Sequence, residues 1–201
     1  MASSDRLEAP DYYDRDAAVF AARYDSVSFD AVHPVLSRYL PASGLVLDIG
    51  AGSGRDARAM AARGLEVTAV EPSDGLRAIG AASGNGIRWI DDRLPRLTRL
   101  SGSGERYDFI LCSAVIMLIA PADLTLSFAT MDGLLADTGK CALNLRTPGA
   151  DEPVELFFAH SDADVLAAAQ TAGLACIDRG EAGDAIGRSA YFWRSFVFAR
   201  C

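Results

Sequence analysis

The sequence predicts an α/β fold built on a largely parallel sheet, and two observations carry that expectation. Short apolar runs of strand character alternate with helical stretches along the chain, and no Ser/Gly-rich linker long enough to separate domains interrupts the alternation. The apolar run Val46, Leu47, Ile49 leads into a glycine-rich turn and then an alanine-rich helix, the strand–turn–helix unit from which parallel sheets are assembled.

The elements follow in order. Residues 1–43 read as helical segments, with Val32, Val35, Leu36, Tyr39 and Leu40 forming one apolar stripe that Pro41 ends. The first strand, 46–49, gives way at Gly50 to the turn, and residues 55–63 form the alanine-rich helix. A second strand, 65–70, stops at Pro72, and Ser73 caps a helix running through Leu76, Ile79 and Gly80. The third strand, 87–90, ends in Asp91 and Asp92; the fourth, 107–113, opens into a mouth at 114–118. From Pro121 to about Leu135 a helix carries Leu124, Phe128, Met131 and Leu135 at core spacing. The fifth strand is 140–145. Ser161 and Asp164 form a capping pattern for a helix whose Val165, Leu166 and Ala169 face inward. Strands at 175–179 and 191–199, joined by a hairpin loop around 183–187, complete the set.

Composition bounds the function. At 201 residues, half of them hydrophobic, the chain forms one domain with a substantial core. No uninterrupted apolar segment approaches the length of a membrane span, and Met1 to Arg6 has no signal-peptide core behind it, so the expectation is a soluble, cytoplasmic product. A formal charge of −8 argues against a nucleic-acid surface. Lys140 is the single lysine, and this arginine- and alanine-rich bias points to a GC-rich bacterial genome. Cys112, Cys141, Cys176 and Cys201 lack metal-ligand spacing and read as free thiols, mostly in strands.

The chemistry concentrates at residues 46–56. A carboxylate within an apolar strand costs free energy unless something binds it, which makes Asp48 a functional candidate. Gly50, Gly52 and Gly54 remove side chains at alternate positions, and the helix starting at Arg55 turns its free amides and positive dipole end toward the same place. A nucleoside cofactor fits this arrangement. The dinucleotide fingerprint G-x-G-x-x-G does not match: the third glycine arrives one residue early, and Arg55 stands where a small residue is needed.

The register Asp48, Gly50, Gly52, Gly54 instead resembles the first motif of the class I S-adenosylmethionine-dependent methyltransferases. S-adenosylmethionine is a sulfonium cation with an ammonium group and no pyrophosphate, which suits an acid beside the turn. The resemblance covers nearly all of the chain beyond residue 30. It implies a Rossmann-like single domain with a seven-stranded, mostly parallel sheet, the last strand antiparallel, and helices on both faces. It divides the chain into a helical lid segment at 1–43 and a cofactor-binding domain at 44–201.

The same resemblance implies site residues. Glu71, at the tip of the second strand, takes the ribose hydroxyls, as an acid there also does in dinucleotide folds. One of Asp91 and Asp92 holds the adenine amino group. Ala51, Arg55 and Pro72 complete the cofactor's surroundings, Ser113 stands at the fourth-strand mouth where related enzymes expose the methyl group, and Tyr24 reaches the methionine end from the lid. The expected reaction is in-line methyl transfer to a small-molecule acceptor, releasing S-adenosylhomocysteine. The stretch 113–118 lacks the histidine that many small-molecule relatives carry, so the candidate bases are His160 and, after it, His33. Arg146 and Arg188 are candidates for binding an acidic acceptor. A non-catalytic S-adenosylmethionine-binding module and, less fitting, a nicotinamide oxidoreductase are the other readings. The identity of the acceptor and the oligomeric state stay open.

Overall fold

A computed structural model describes residues 7–84 and 86–201. The Met1 to Arg6 terminus, on which the reading of a leader turned, lies outside the described residues. The sheet has seven strands in the order β3-β2-β1-β4-β5-β7-β6. These are β1 (Leu45–Ile49), β2 (Glu66–Val70), β3 (Arg88–Ile90), β4 (Tyr107–Ser113), β5 (Leu135–Arg146), β6 (Leu174–Gly183) and β7 (Phe192–Arg200). The first five pair in parallel, and β7 runs antiparallel between β5 and β6. The expected α/β sheet with an antiparallel last strand is thus the observed one.

Successive strands step outward from β1 in both directions, toward β3 on one side and β5 on the other. This reversal opens a crevice beyond the carboxyl ends of β1 and β4, the place where open α/β sheets bind ligands. Alternation along the strands splits the core. Val46, Phe109, Leu111 and Ala142 pack on one face with Ala57, Met60 and Leu36. Leu47, Ile110, Cys112 and Leu143 pack on the other with Phe128, Met131 and Val165. Both faces are covered, which is why these strands read as continuous apolar runs.

Among the described residues seven α-helices surround the sheet: α1 (Ala9–Asp14), α2 (Ala17–Asp25), α3 (Phe29–Val32), α4 (Arg55–Ala61), α5 (Asp74–Ala81), α6 (Leu124–Leu134) and α7 (Asp162–Thr171). Ser73 caps α5 by accepting the Leu76 N–H, and Ser161 with Asp164 forms a reciprocal capping box on α7. Among the described residues no helix is long and apolar enough to cross a membrane.

Three expectations are corrected. The stripe at 32–40 is not one helix: Pro34 carries no amide proton and pushes His33 out of helical geometry, so α3 stops at Val32 and a short 3-10 turn, Leu36–Tyr39, follows. Strand β5 begins at Leu135, directly after α6, because buried Leu135 pairs with Tyr107 across a bulge and Gly139 leaves room for the Tyr107 carbonyl. Strand β6 continues to Gly183, its glycines notwithstanding, since Gly180 is where the strand passes close against Val35.

Candidate active site

A cavity of about 740 Å³ lies over the carboxyl ends of β1, β2 and β4, with α1, α2 and the segments 151–158 and 183–193 forming its outer walls. Its floor is the turn after β1. The Gly50 and Ala51 amides donate to the Val70 carbonyl at 2.8 and 2.9 Å, folding the turn over the end of β2. The three glycines serve different purposes. A Cβ on Gly50 would lie 2.2 Å from Val115 Cγ2, and one on Gly54 2.9 Å from Trp89 Cζ2, so these two make room for protein. Gly52, with φ +57°, would meet only the Tyr24 ring, at 3.6 Å, and is the glycine that leaves space in the cavity itself.

Glu71 is buried beneath this floor. Its Oε2 accepts the Gly52 N–H at 2.7 Å and its Oε1 the Ser73 N–H at 2.8 Å. Burial raises its pKa above the ordinary carboxylate value, against the pull of those amides. Pro72 lines the cavity beside it. Of the two candidate acids after β3, Asp92 is buried and faces the cavity, while its oxygens accept the Arg93, Thr98 and Arg99 amides at 2.9, 3.1 and 2.6 Å. Asp91 turns outward to Arg99 and Arg77, at 3.2 and 3.7 Å.

Below the turn lie two buried acids with opposite behaviour. Asp48 is 1 % exposed and its Oδ2 has no hydrogen-bond partner. Burial, reinforced by the negative charge of Asp56, pushes its pKa well up. Burial would raise Asp56 too, but His33 and Arg55 outweigh it and hold this carboxyl below its usual range. Arg55 grips Asp56 with two nitrogens, at 2.7 and 2.8 Å, and His33 Nε2 lies 2.9 Å from Asp56 Oδ2. Asp56 was not anticipated from the sequence; its signal was its position in the first turn of the helix that follows the glycines.

Neither candidate base lines the cavity. His33 is fully buried, bonded to Asp56 on one nitrogen and 3.3 Å from Asn144 Nδ2 on the other. His160 is 4 % exposed and its Nε2 donates to the Ile119 carbonyl at 2.9 Å. The geometry therefore gives both rings structural partners, and the expectation of a histidine base is set aside on that ground.

Several contacts tie the N-terminal segment to this site, those of Asp14 and Asp25 among them. Asp14 accepts the Ser73 hydroxyl and the Gly75 amide, at 2.5 and 2.8 Å, and Asp25 accepts the Ser53 hydroxyl and Arg58, at 2.7 and 2.8 Å. Tyr24 is half-buried against Gly52, and desolvation pushes its hydroxyl up to about 12.

A family model described as a methyltransferase domain matches residues 19–172, which include the glycine turn, Glu71, Asp92 and the β4 mouth. The chain belongs to this methyltransferase family. The family's cofactor is S-adenosyl-L-methionine. No curated protein matched the methyltransferase by sequence. Solved structures share its fold at low identity. Magnesium protoporphyrin IX methyltransferase from Synechocystis, with bound S-adenosylmethionine, is 17 % identical with a TM-score of 0.73, over 99 % of this chain and 100 % of that one. A TehB-like S-adenosylmethionine-dependent methyltransferase from Corynebacterium glutamicum is 16 % identical with a TM-score of 0.71, covering 93 % and 99 %. The [4+2]-cyclase SpnF is 11 % identical with a TM-score of 0.73, covering 96 % and 97 %.

Part of the methyltransferase's cavity lining is aromatic and arginine-bearing. Arg146 leaves the end of β5, its guanidinium 4.1 Å from the Tyr191 ring centroid, while Arg188 stacks on the same ring at 4.6 Å. Each of these candidates for an acidic acceptor already pairs with a carboxylate of the chain. Arg146 is buried and held by Glu152, and Arg188 pairs with Asp184 at 2.7 Å. Asp184 also accepts the Trp193 indole N–H at 2.9 Å; burial would raise its pKa, but these donors hold it below the usual range. Ser113 Oγ bonds Asn144 Oδ1 at 3.2 Å, which places the methyltransferase's fourth-strand mouth against β5. Asn144 itself escaped the sequence reading, although a carboxamide within the apolar run of β5 was the available signal.

Proposed function

We propose that this methyltransferase acts on a small-molecule acceptor held between the glycine turn and the Arg146–Tyr191–Arg188 wall. The observation that carries this reading is the cavity: about 740 Å³, continuous from the turn to that wall, and covered by α1 and α2. That volume falls within the roughly 300–1,000 Å³ typical of small-molecule sites.

The residues present fit the family's cofactor. Gly52 keeps a side chain out of the space above the turn, whereas Asp48, expected from the sequence to meet the cofactor, is buried beneath the turn and does not line the cavity, so it bears on that space only through the turn. Glu71 would hold the ribose hydroxyls, and Asp92 rather than Asp91 the adenine side, because Asp92 faces the cavity. Ala51 and Tyr24 would border the methionine portion, while Arg55, committed to Asp56, supports the turn from below. Bound there, S-adenosyl-L-methionine supplies a methyl group already activated by its sulfonium. The protein's remaining task is to align the acceptor and exclude water. The segment α1–α2, pinned by Asp14 and Asp25, serves as the cover that does the second.

Incubating the protein with S-adenosylmethionine and a metabolite extract, and reading mass shifts of 14 Da per transferred methyl, tests the proposal; that mass is about the mass of CH₂ and the readout depends on turnover, not affinity. A methylated metabolite with matching S-adenosylhomocysteine supports it. Methylation confined to protein or nucleic acid would overturn the acceptor class. A second reading, cofactor binding without methyl transfer, is favoured by one observation: no histidine lines the cavity among the described residues. Tight S-adenosylhomocysteine binding with no turnover on any extract would select it.

A further inference from the structure

Among the described residues only Leu97 and Ala114 combine a side chain with a positive φ, and Ala114, at φ +59°, stands at the mouth of β4. A Cβ-bearing residue adopts this conformation when its surroundings hold it there. The holder is Asn144 on β5, 1 % exposed. The Ala114 N–H is shared between the Asn144 backbone carbonyl, at 3.1 Å, and its side-chain Oδ1, at 2.9 Å.

That bond fixes the rest. An amide N–H only donates, so the atom of Asn144 facing Ala114 is oxygen, and Nδ2 faces His33 Nδ1 at 3.3 Å. His33 Nδ1 accepts there, which places the proton of the neutral ring on Nε2, where Asp56 Oδ2 takes it at 2.9 Å. Asp56 is in turn gripped by Arg55. A line of buried hydrogen bonds thus runs from the first turn of α4 to the β4 mouth. The residue after Ala114 closes the circuit: Val115 Cγ2 occupies the space where a Cβ on Gly50 would be, 2.2 Å from that position.

We propose that Asn144 is a positioning residue of the cofactor site. Aligned by His33, its carboxamide holds Ala114 in the left-handed conformation that seats Val115 against Gly50, and so sets the shape of the glycine turn. The proposal rests on the assignment of that turn to the cofactor.

Calorimetric titration with S-adenosylhomocysteine tests it. Asn144→Leu should weaken binding by roughly tenfold, the size of one lost buried hydrogen bond. Adding Ala114→Gly should restore most of the loss, because glycine adopts φ +59° without the side-chain penalty. A merely structural asparagine would lower the melting temperature without that selective recovery. Wild-type affinity in Asn144→Leu, or a loss that Ala114→Gly leaves untouched, would overturn the proposal. Absence of binding by the wild-type protein would instead defeat the cofactor assignment. A second measurement is read on the wild-type protein: long-range ¹H–¹⁵N spectra of its two imidazoles, with His33 assigned by difference from His160→Gln. The proposal requires the Nε2–H form at His33; an Nδ1–H ring would remove the donor–acceptor line on which it stands.

Discussion

Glu71 Oε2 accepts the Gly52 N–H at 2.7 Å, so the carboxylate at the tip of β2 braces the turn that follows β1. Its other oxygen takes the Ser73 N–H, at the start of α5. One side chain therefore ties together two strand–helix junctions on neighbouring strands. It also lines the cavity. Burial pushes this acid toward neutrality, and the two amides are what oppose that push. Bracing the turn and lining the cavity are consequently joined in Glu71.

Glu71→Ala should weaken cofactor binding by about 1.5–3 kcal/mol, the range for hydrogen bonds to a charged group. It should also lower the melting temperature, since the Gly52 and Ser73 amides lose their acceptor. Titration with S-adenosylhomocysteine and a thermal melt read the two effects. Unchanged affinity in a folded Glu71→Ala protein would mean that the ribose is held elsewhere.

Gly52→Ala separates backbone strain from lost space. The new Cβ meets Tyr24 only at ordinary contact distance, so the structural cost is that of φ +57°, about 1–2 kcal/mol. Gly64, φ +85° with nothing within 4 Å, is the matched control. Both alanine variants should lose a few degrees of melting temperature. Gly52→Ala should also lose cofactor affinity, and Gly64→Ala should keep it. Equal affinities would show that the space above Gly52 is not used.

The acids beneath the turn should give opposite pH signatures. Asp48 has a raised native pKa, so the folded state holds its proton more tightly than the unfolded chain does. Stability from this source is present below about pH 4, the unfolded value, and is lost as the pH rises toward the native one. Asp56 is lowered: its contribution is present above about pH 4 and is lost as the pH falls toward its native value. Melting temperatures between roughly pH 3 and 8 should therefore show Asp48→Asn gaining on the wild type as the pH rises from about 4. Asp56→Asn should instead differ below about pH 4, falling behind as the pH rises toward that value and running parallel to the wild type above it. Parallel curves for either variant within its own interval would contradict the assigned direction.

What could be read from the sequence was local. Ser73 and Ser161 announce their helices because a cap and its amide lie three residues apart, and the β1 turn is legible because its glycines alternate within one short stretch. Strand existence followed from apolar runs buried on both faces. Long-range pairing left no such trace. His33 and Asn144 are 111 residues apart, and nothing near either one announces the other. Arg146 and Arg188 find their carboxylates nearby, Glu152 six residues on and Asp184 four residues back, but in loop segments where no helical spacing announces the pair. Asp91 and Asp92 are chemically identical, and the loop amides that gather around Asp92 decide between them.

His160 carries the last prediction. As a general base it would cost about 10²–10⁴-fold in turnover when removed. Its observed partners point to another role: Nε2 donates to the Ile119 carbonyl, and its own carbonyl accepts from Arg194 at 2.9 Å, so the residue fastens the approach to α7 onto the chain beyond the β4 mouth. His160→Ala should therefore cost about 0.5–1.5 kcal/mol of stability, the net worth of a hydrogen bond, or a melting-temperature loss of a few degrees in a chain of this size. Affinity for S-adenosylhomocysteine should stay within about twofold, because a difference that small lies well below one lost hydrogen bond. Once an acceptor is in hand, turnover should be nearly that of the wild type. A hundredfold drop in rate at unchanged melting temperature would restore His160 as the base, since a buried strut cannot produce that combination.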